Sequence, residues 1–155
     1  LNIYYMNIDY FMSEAINQAM KAFDNQEVPV GGVLVDVNTN KIIEKSYNKV
    51  NKEKNAIYHC EIDLIINACK KLSCKYLNNT VMFVTLEPCL MCASAISEVH
   101  IDKLYFGAYD DKNGAIEKNK TLMKQKNIFK TEIYGGIMEK DCKILLEKFF
   151  IKLRK

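Results

Sequence analysis

No stretch of this 155-residue sequence reaches the roughly 18 consecutive apolar residues of a membrane-spanning helix. A helical membrane anchor is therefore excluded for this stretch of chain. The opening residues, Leu1-Asn2-Ile3-Tyr4-Tyr5, lack the cationic flank and small-residue cleavage site of a signal peptide. The sequence accordingly predicts an intracellular protein, cytoplasmic or nuclear, with no membrane partner. There is no internal repeat and no Pro-, Gly- or Ser-rich linker, so residues 1–155 are expected to form one domain, long enough to bury a core without covalent staples. Arg154 is the only arginine, and a net charge of +3 is too small to mark a nucleic-acid binder by charge alone. Histidine is equally scarce: His59 and His100 are the only imidazoles on offer to a metal.

Apolar residues make up 49% of the chain and charged residues 26%, the composition of a globular protein rather than a disordered one. Cysteine is not scarce. The thiols at positions 60, 69, 74, 89, 92 and 142, in a chain expected inside the cell, argue for free thiols or metal ligands over a disulfide framework.

Periodicity supplies the elements. Phe11, Ala15, Ala19 and Phe23 recur at i+4 and predict an amphipathic helix over residues 9–23. "EVPVGGVLVDV" reads as a turn entering a buried strand, and Asn38-Thr39-Asn40 turns the chain into a second strand, "KIIEKSY", forming a hairpin. After the polar loop "NKVNKEKN", His59 opens a helix whose apolar positions are Ile62, Ile65, Ile66 and Cys69. "TVMFVT" is a strand, and Pro88 suits the first turn of the helix after it. "KLYFGAY" and "KTEIYGGI" are further strands, separated by a Lys/Asn-rich segment over 111–127. The last helix starts near Met138, with Ile144, Leu145, Phe149 and Leu153 facing inward. The order α-β-β-α-β-α-β-β-α predicts a three-layer α/β/α sandwich around a mixed sheet of about five strands.

The chemistry concentrates in "TLEPCLMCASAIS". Cysteines at i and i+3 of a helix lie about 60° apart around its axis, so Cys89 and Cys92 can reach one ion together. Alone, such a pair is equally a redox couple or core packing. His59 with Glu61 two residues on changes the balance, because H-x-E…P-C-x-x-C is the signature of zinc deaminases. Three protein ligands leave the fourth tetrahedral position for a water, whose pKa zinc lowers toward about 7. Glu61 can then take a proton from that water, deliver it to a ring nitrogen, and protonate the departing amine. A closed structural site needs a fourth ligand, for which Cys60 or His100 is available. Cys60, though, sits about 100° around a helix from His59. Core or incidental roles are the default for Cys69, Cys74 and Cys142, and a structural or surface role for His100.

"EVPVGGVLV", "HCEI", "FVTLEPCLMC", "LYFGAYDDKNGA" and "GGIMEKDCKILLEKFF" occur together in the order and close to the spacing of the tRNA wobble adenosine deaminases. The chain resembles that family over nearly its whole length, and "NKVNKEKNAIYHCE" looks more like the eukaryotic catalytic subunit than its bacterial counterpart. The resemblance implies a cytidine deaminase-like fold, Zn2+ held by His59, Cys89 and Cys92, and Glu61 as proton shuttle. It implies deamination of adenosine to inosine at the wobble position, zinc-bound hydroxide attacking C6. Asn48 matches a residue that holds the flipped nucleoside and Val30 one that lines the base pocket. Asp110 and Lys112 fall in a loop bordering the anticodon. By themselves Asn48 reads as a turn residue, Val30 as core, and the charged loop as solvated.

Two departures stand out. Cys60 replaces the alanine usual between the His and the Glu, placing a thiol open to oxidation or metal competition near the ion. "IEKNKTLMKQKN" replaces a glycine- and serine-containing loop. Near the end, "EKFFIKLRK" surrounds an aromatic pair with cations. Phe149 is expected to pack the last helix, and Phe150 to flank a splayed anticodon base while the cations hold phosphates. The expected partners are a tRNA anticodon loop and either a second copy of the chain or a related inactive subunit. The competing functions are deamination of a free cytidine, deoxycytidylate or guanine-type substrate, and a non-catalytic zinc-stabilised RNA-binding subunit.

Overall fold

The computed structural model describes residues 5–117 and 124–155. Helix α1 (Ile8–Asp24) leads into a hairpin of β1 (Gly31–Asp36) and β2 (Lys41–Tyr47). Then come α2 (Cys60–Leu72), β3 (Thr80–Leu86), α3 (Leu90–Glu98), β4 (Lys103–Ala108), β5 (Glu132–Tyr134) and α4 (Glu139–Leu153). The order is the one the sequence predicts, and the hairpin turn is where it was expected. Asp36 Oδ1 accepts the N–H of Asn38 at 2.9 Å and Asn40 takes a left-handed φ of 58°, the local chemistry that Asx turns favour.

The strands form one five-stranded sheet in the order β2-β1-β3-β4-β5. β1 runs antiparallel to β2 and β3, whereas β3, β4 and β5 are mutually parallel, so the sheet is mixed. Strand alternation sorts its side chains to two faces. Leu34, Met82, Val84, Leu104 and Phe106 pack with Leu64 and Ala68 of α2 and Ala93 and Ile96 of α3. Val33, Val35, Val81 and Phe83 pack on the other face with Phe11, Met12 and Ala15 of α1 and Cys142 of α4. The result is the three-layer sandwich. At the start of β1, Gly31 and Gly32 let helices close on both sides. A Cβ on Gly31 would run into the backbone of α1 at Ala15 and Ala19, and one on Gly32 would crowd Cys60 Sγ and Leu64 Cδ1 at 3.0 Å.

Three local expectations are corrected. The inward face of α2 is Cys60, Leu64, Ile65 and Ala68, with Ile66 46% exposed. The apolar spacing fits two adjacent stripes, and packing on the sheet selects the one that includes Cys60. In α4, Cys142 and Phe149 are buried, but Ile144 and Leu153 are exposed. Pro88 precedes α3 instead of lying in its first turn, because Cys89 is the N-cap. The replaced loop over 116–127 lies partly outside the described residues.

The topology gathers one end of the sheet. Because β1 is antiparallel to its neighbours, the residues just before it (28–30) lie beside those that follow β2 (Asn48), β3 (Glu87 to Cys89) and β4 (Tyr109 onward). This rim at the carboxyl ends of β3 and β4 is where open α/β sheets present ligands.

Candidate metal centre and its cavity

His59 and Cys89 hold equivalent places: each is an extended N-cap residue, His59 of α2 (ψ 154°) and Cys89 of α3 (ψ 173°). Neither uses its side chain to cap its helix, so both side chains are free for other partners. The starts of two helices thus converge, and Cys92, in the first turn of α3, completes the set. Cys89 Sγ lies 3.7 Å and Cys92 Sγ 3.5 Å from His59 Nδ1. All three donor atoms lie within 4.8 Å of one another. With Zn–S near 2.3 Å and Zn–N near 2.0 Å, the edge between S and N ligands of a tetrahedral ion is about 3.6 Å. The donor set therefore fits zinc in both chemistry and spacing.

Without a cation these groups share protons. A hydrogen bond from the Cys92 thiol, then that from His59 and one from the Cys92 backbone, hold the Cys89 thiol down to about 4 despite the cost of burial. The same bond to Cys89, helped by burial, pushes Cys92 well up. Hydrogen bonding to Cys89 raises His59. Two thiols and an imidazole that hydrogen-bond to one another are a set from which a cation displaces protons. Glu61, buried in the first turn of α2 beside Cys92, is raised by burial.

His59, Glu61 and Cys89 line a cavity of about 990 Å³, and the buried Cys92 adjoins them. Val30, Asn48, Glu61, Asp110, Lys112 and Phe150 all line it with His59 and Cys89, so the residues singled out in the sequence share one hollow. Val30 is buried, with its carbonyl accepting the N–H of Asn48 at 3.0 Å. Asn48 Oδ1 accepts the N–H of Cys60 at 2.9 Å. Asp110 Oδ1 accepts the N–H groups of Lys112 and Asn113, shaping its own loop.

The two remaining candidates for a fourth ligand are occupied elsewhere. Cys60 is fully buried with its thiol donating to the Ser46 carbonyl at 3.3 Å, and burial pushes that thiol well above its ordinary range. Its expected exposure to oxidation is thereby corrected. His100 is stacked between Tyr76 and Phe129.

Two residues of the cavity wall escaped sequence reasoning. Glu27, 2% exposed, accepts the N–H groups of Asn51 and Lys52 at 2.9 and 2.8 Å. Glu87, 3% exposed, accepts those of Asp110, Ile116 and Glu117. For Glu87 the available signal was an isolated acid inside an apolar run, "VTLEP", where a solvated charge has no place; Glu27 follows the polar Asp24-Asn25-Gln26 and carried no such signal. Tyr109 was also passed over; it stands edge-on to Phe106 with its ring 5.1 Å away and borders the cavity.

Residues 6–108 match the family described as the cytidine and deoxycytidylate deaminase zinc-binding region. The chain is 46% identical over 144 residues to a tRNA-specific adenosine deaminase of Rickettsia bellii, covering 92% of this chain and 99% of the relative. It is 38% identical to the tRNA-specific adenosine deaminase of Bacillus subtilis, covering 95% and 91%. A solved structure from studies of A-to-I editing by tRNA:A34 deaminases at the wobble position superposes with a TM-score of 0.84 at 36% identity, covering 88% of this chain and 99% of that one. These relatives overturn the expected likeness to the eukaryotic subunit, and the nuclear option loses its basis with it: the matches that run nearly end to end are bacterial. By sequence, fold and signature, the chain belongs to the tRNA-specific adenosine deaminases of the zinc-binding cytidine and deoxycytidylate deaminase family.

Proposed function

We propose that residues 1–155 act as one zinc-dependent deaminase domain that hydrolyses adenosine to inosine at the wobble position of tRNA. The observation that carries this reading is a three-donor cluster, His59, Cys89 and Cys92, beside the buried Glu61 at an open cavity. Identity to tRNA-specific adenosine deaminases supplies the substrate. About 990 Å³ is at the upper end of small-molecule sites and accommodates an extruded nucleotide with its neighbours.

His59, Cys89 and Cys92 would hold the zinc, which when bound makes a hydroxide nucleophile available at neutral pH. Among the described residues the donors that all lie within 4.8 Å of one another are those of His59, Cys89 and Cys92, and with Cys60 and His100 committed elsewhere this favours an open position over a closed structural site. Glu61 moves the protons. Burial raises its carboxyl above the ordinary carboxylate range, the direction that suits a group which both accepts and donates a proton. It takes one proton from the attacking water and delivers it to the purine ring nitrogen, then takes the second from the oxygen now bonded to carbon and gives it to the amine, so that C–O replaces C–N and ammonia leaves. Asn48 and Val30 position the base, with Asp110, Lys112 and Phe150 toward the mouth for the flanking nucleotides. The bacterial relatives support pairing of the chain with itself, in the cytoplasm, over pairing with an inactive relative.

The test is incubation of the purified chain with anticodon stem-loops bearing A or C at the wobble position, and with free nucleosides and nucleotides. Inosine is expected in the A stem-loop alone, with about one zinc per chain. Robust deamination of free cytidine, deoxycytidylate or guanine with the stem-loops untouched overturns the substrate. Well-folded protein without zinc overturns the mechanism.

A further inference from the structure

The segment after β4 brings Tyr109, Asp110, Lys112 and Asn113 to the wall of the cavity. A loop of this kind needs partners for its backbone N–H groups, because those turned inward cannot reach water. Glu87 supplies them from the opposite side. Its Oε1 accepts the N–H of Asp110 at 3.0 Å, and its Oε2 accepts those of Ile116 at 3.1 Å and Glu117 at 2.9 Å. All three N–H groups donate into the carboxylate, so an acceptor-only group is matched to a set of donors. The loop has also made room for it: a Cβ on Gly114 would lie 2.5 Å from Glu87 Oε1 and from the Asp110 carbonyl. The backbone on either side of Glu87 reinforces the join. Its N–H donates to Ala108 O at 2.8 Å, Ala115 N donates to Pro88 O at 3.0 Å, and Cys89 forms a bridge with Gly114.

We propose that Glu87 is a positioning residue whose carboxylate is the template on which residues 110–117 fold, fixing the cavity mouth to the junction that carries Cys89. Glu87 touches no reacting atom. It sets where Asp110, Lys112 and Asn113 stand relative to the site, and so governs how the flanking part of a substrate is received. This role in catalysis rests on the function proposed above, whereas the folding of the loop on Glu87 does not.

The test compares wild type with Glu87→Gln in two readouts. In the first, backbone amide hydrogen exchange is followed at positions 110, 116 and 117. The amide side chain must point its NH2 at one of the three N–H donors, so protection at these positions is expected to drop by about tenfold or more while that of the sheet is kept. The second is steady-state deamination of the A stem-loop. KM should rise by about tenfold with kcat within about threefold of wild type and zinc content unchanged. Should Glu87→Gln fail to fold, Gly114→Ala, which displaces the carboxylate from the loop side, is expected to give the same loss of protection and the same KM shift. Unchanged exchange at these amides in the folded variant overturns the template, and an equal fall in kcat with no KM change overturns the positioning role. A wild-type chain inactive on the stem-loop defeats the proposed function, yet the exchange readout still decides for or against the template.

Discussion

The side-chain oxygen of Asn48 accepts the backbone N–H of Cys60 at 2.9 Å, so a residue of the cavity wall fills the capping place that His59 leaves open at the start of α2. His59 and Glu61 are thereby tied to the end of β2. Asn48→Ala removes both a cap and a polar group of the wall. Loss of a cap costs about 1 kcal/mol, a drop of roughly 2–4 °C in Tm for a chain of this size. Turnover of the A stem-loop is expected to fall further than that stability loss explains, with zinc content retained. Calorimetry, metal analysis and an inosine assay on one preparation check all three.

Glu61→Gln separates metal binding from proton transfer. The amide keeps the shape of the buried carboxyl but cannot accept and return a proton, so kcat should fall by about 10²-fold or more with about one zinc still bound per chain. Chelation of the wild type should abolish activity and expose the half-buried Cys89 to alkylation, leaving the fully buried Cys60 unlabelled. Mass spectrometry of iodoacetamide-treated protein, with and without chelator, reads this pattern. Labelling of Cys60 ahead of Cys89 would contradict it.

Asp63 links pH to stability. Burial opposes its charge, but the Ser46 hydroxyl, the Lys49 ammonium 2.9 Å away and the Tyr58 hydroxyl together hold its carboxyl below the usual carboxylate range. A group with a lowered folded pKa contributes stability that is present above its unfolded value, about 3.9, and is lost as pH falls through the folded value. Asp63→Asn should therefore cost about 3 kcal/mol at pH 7, where it strands Lys49, and progressively less below about pH 4. Urea unfolding of both proteins across that range measures the gap. A gap independent of pH would remove Asp63 from the account.

Phe150 borders the cavity at 44% exposure, although its neighbour Phe149 is buried against Phe23. An aromatic left half in solvent beside a nucleotide-sized hollow suits stacking on a splayed base, worth about 1–3 kcal/mol. Phe150→Ala should weaken stem-loop binding about tenfold with the salt dependence unaltered. Removing residues 151–155, which include Lys152, Arg154 and Lys155, should instead flatten that dependence by roughly 0.7 units of slope for each phosphate no longer neutralised. Filter binding across a salt series distinguishes the two. Lys152 also sits over the Phe23 ring at 5.5 Å, so a modest loss of stability is expected with the truncation.

What the sequence made legible was whatever repeats locally. Strand alternation and helical spacing placed the elements in order, and H-C-E with P-C-L-M-C marked the site because metal chemistry demands particular side chains at short spacings. Glu27 and Glu87 were hidden because their partners are backbone N–H groups 23 to 30 residues away, and backbone carries no letter in a sequence. The faces of α2 and α4 slipped for a related reason. Ile66 and Ile144 are apolar and correctly spaced, but only packing against the sheet decides which of two adjacent stripes turns inward.

The paired glycines at the head of β1 divide the molecule into a part that resists redesign and a part that invites it. Gly31 is pressed against α1 on one face and Gly32 against Cys60 and Leu64 of α2 on the other, so side-chain volume added at either position pushes a whole helix outward. For Gly32 that helix carries His59 and Glu61. Attempts to enlarge the hollow from beneath would thus disturb the reacting groups before they admitted a larger base. Changes at Val28, Val50, Tyr109 or Phe150 alter the hollow's outline from above and leave both helices seated. Variation in what the protein accepts should accumulate at the mouth, with the floor held constant by two missing side chains.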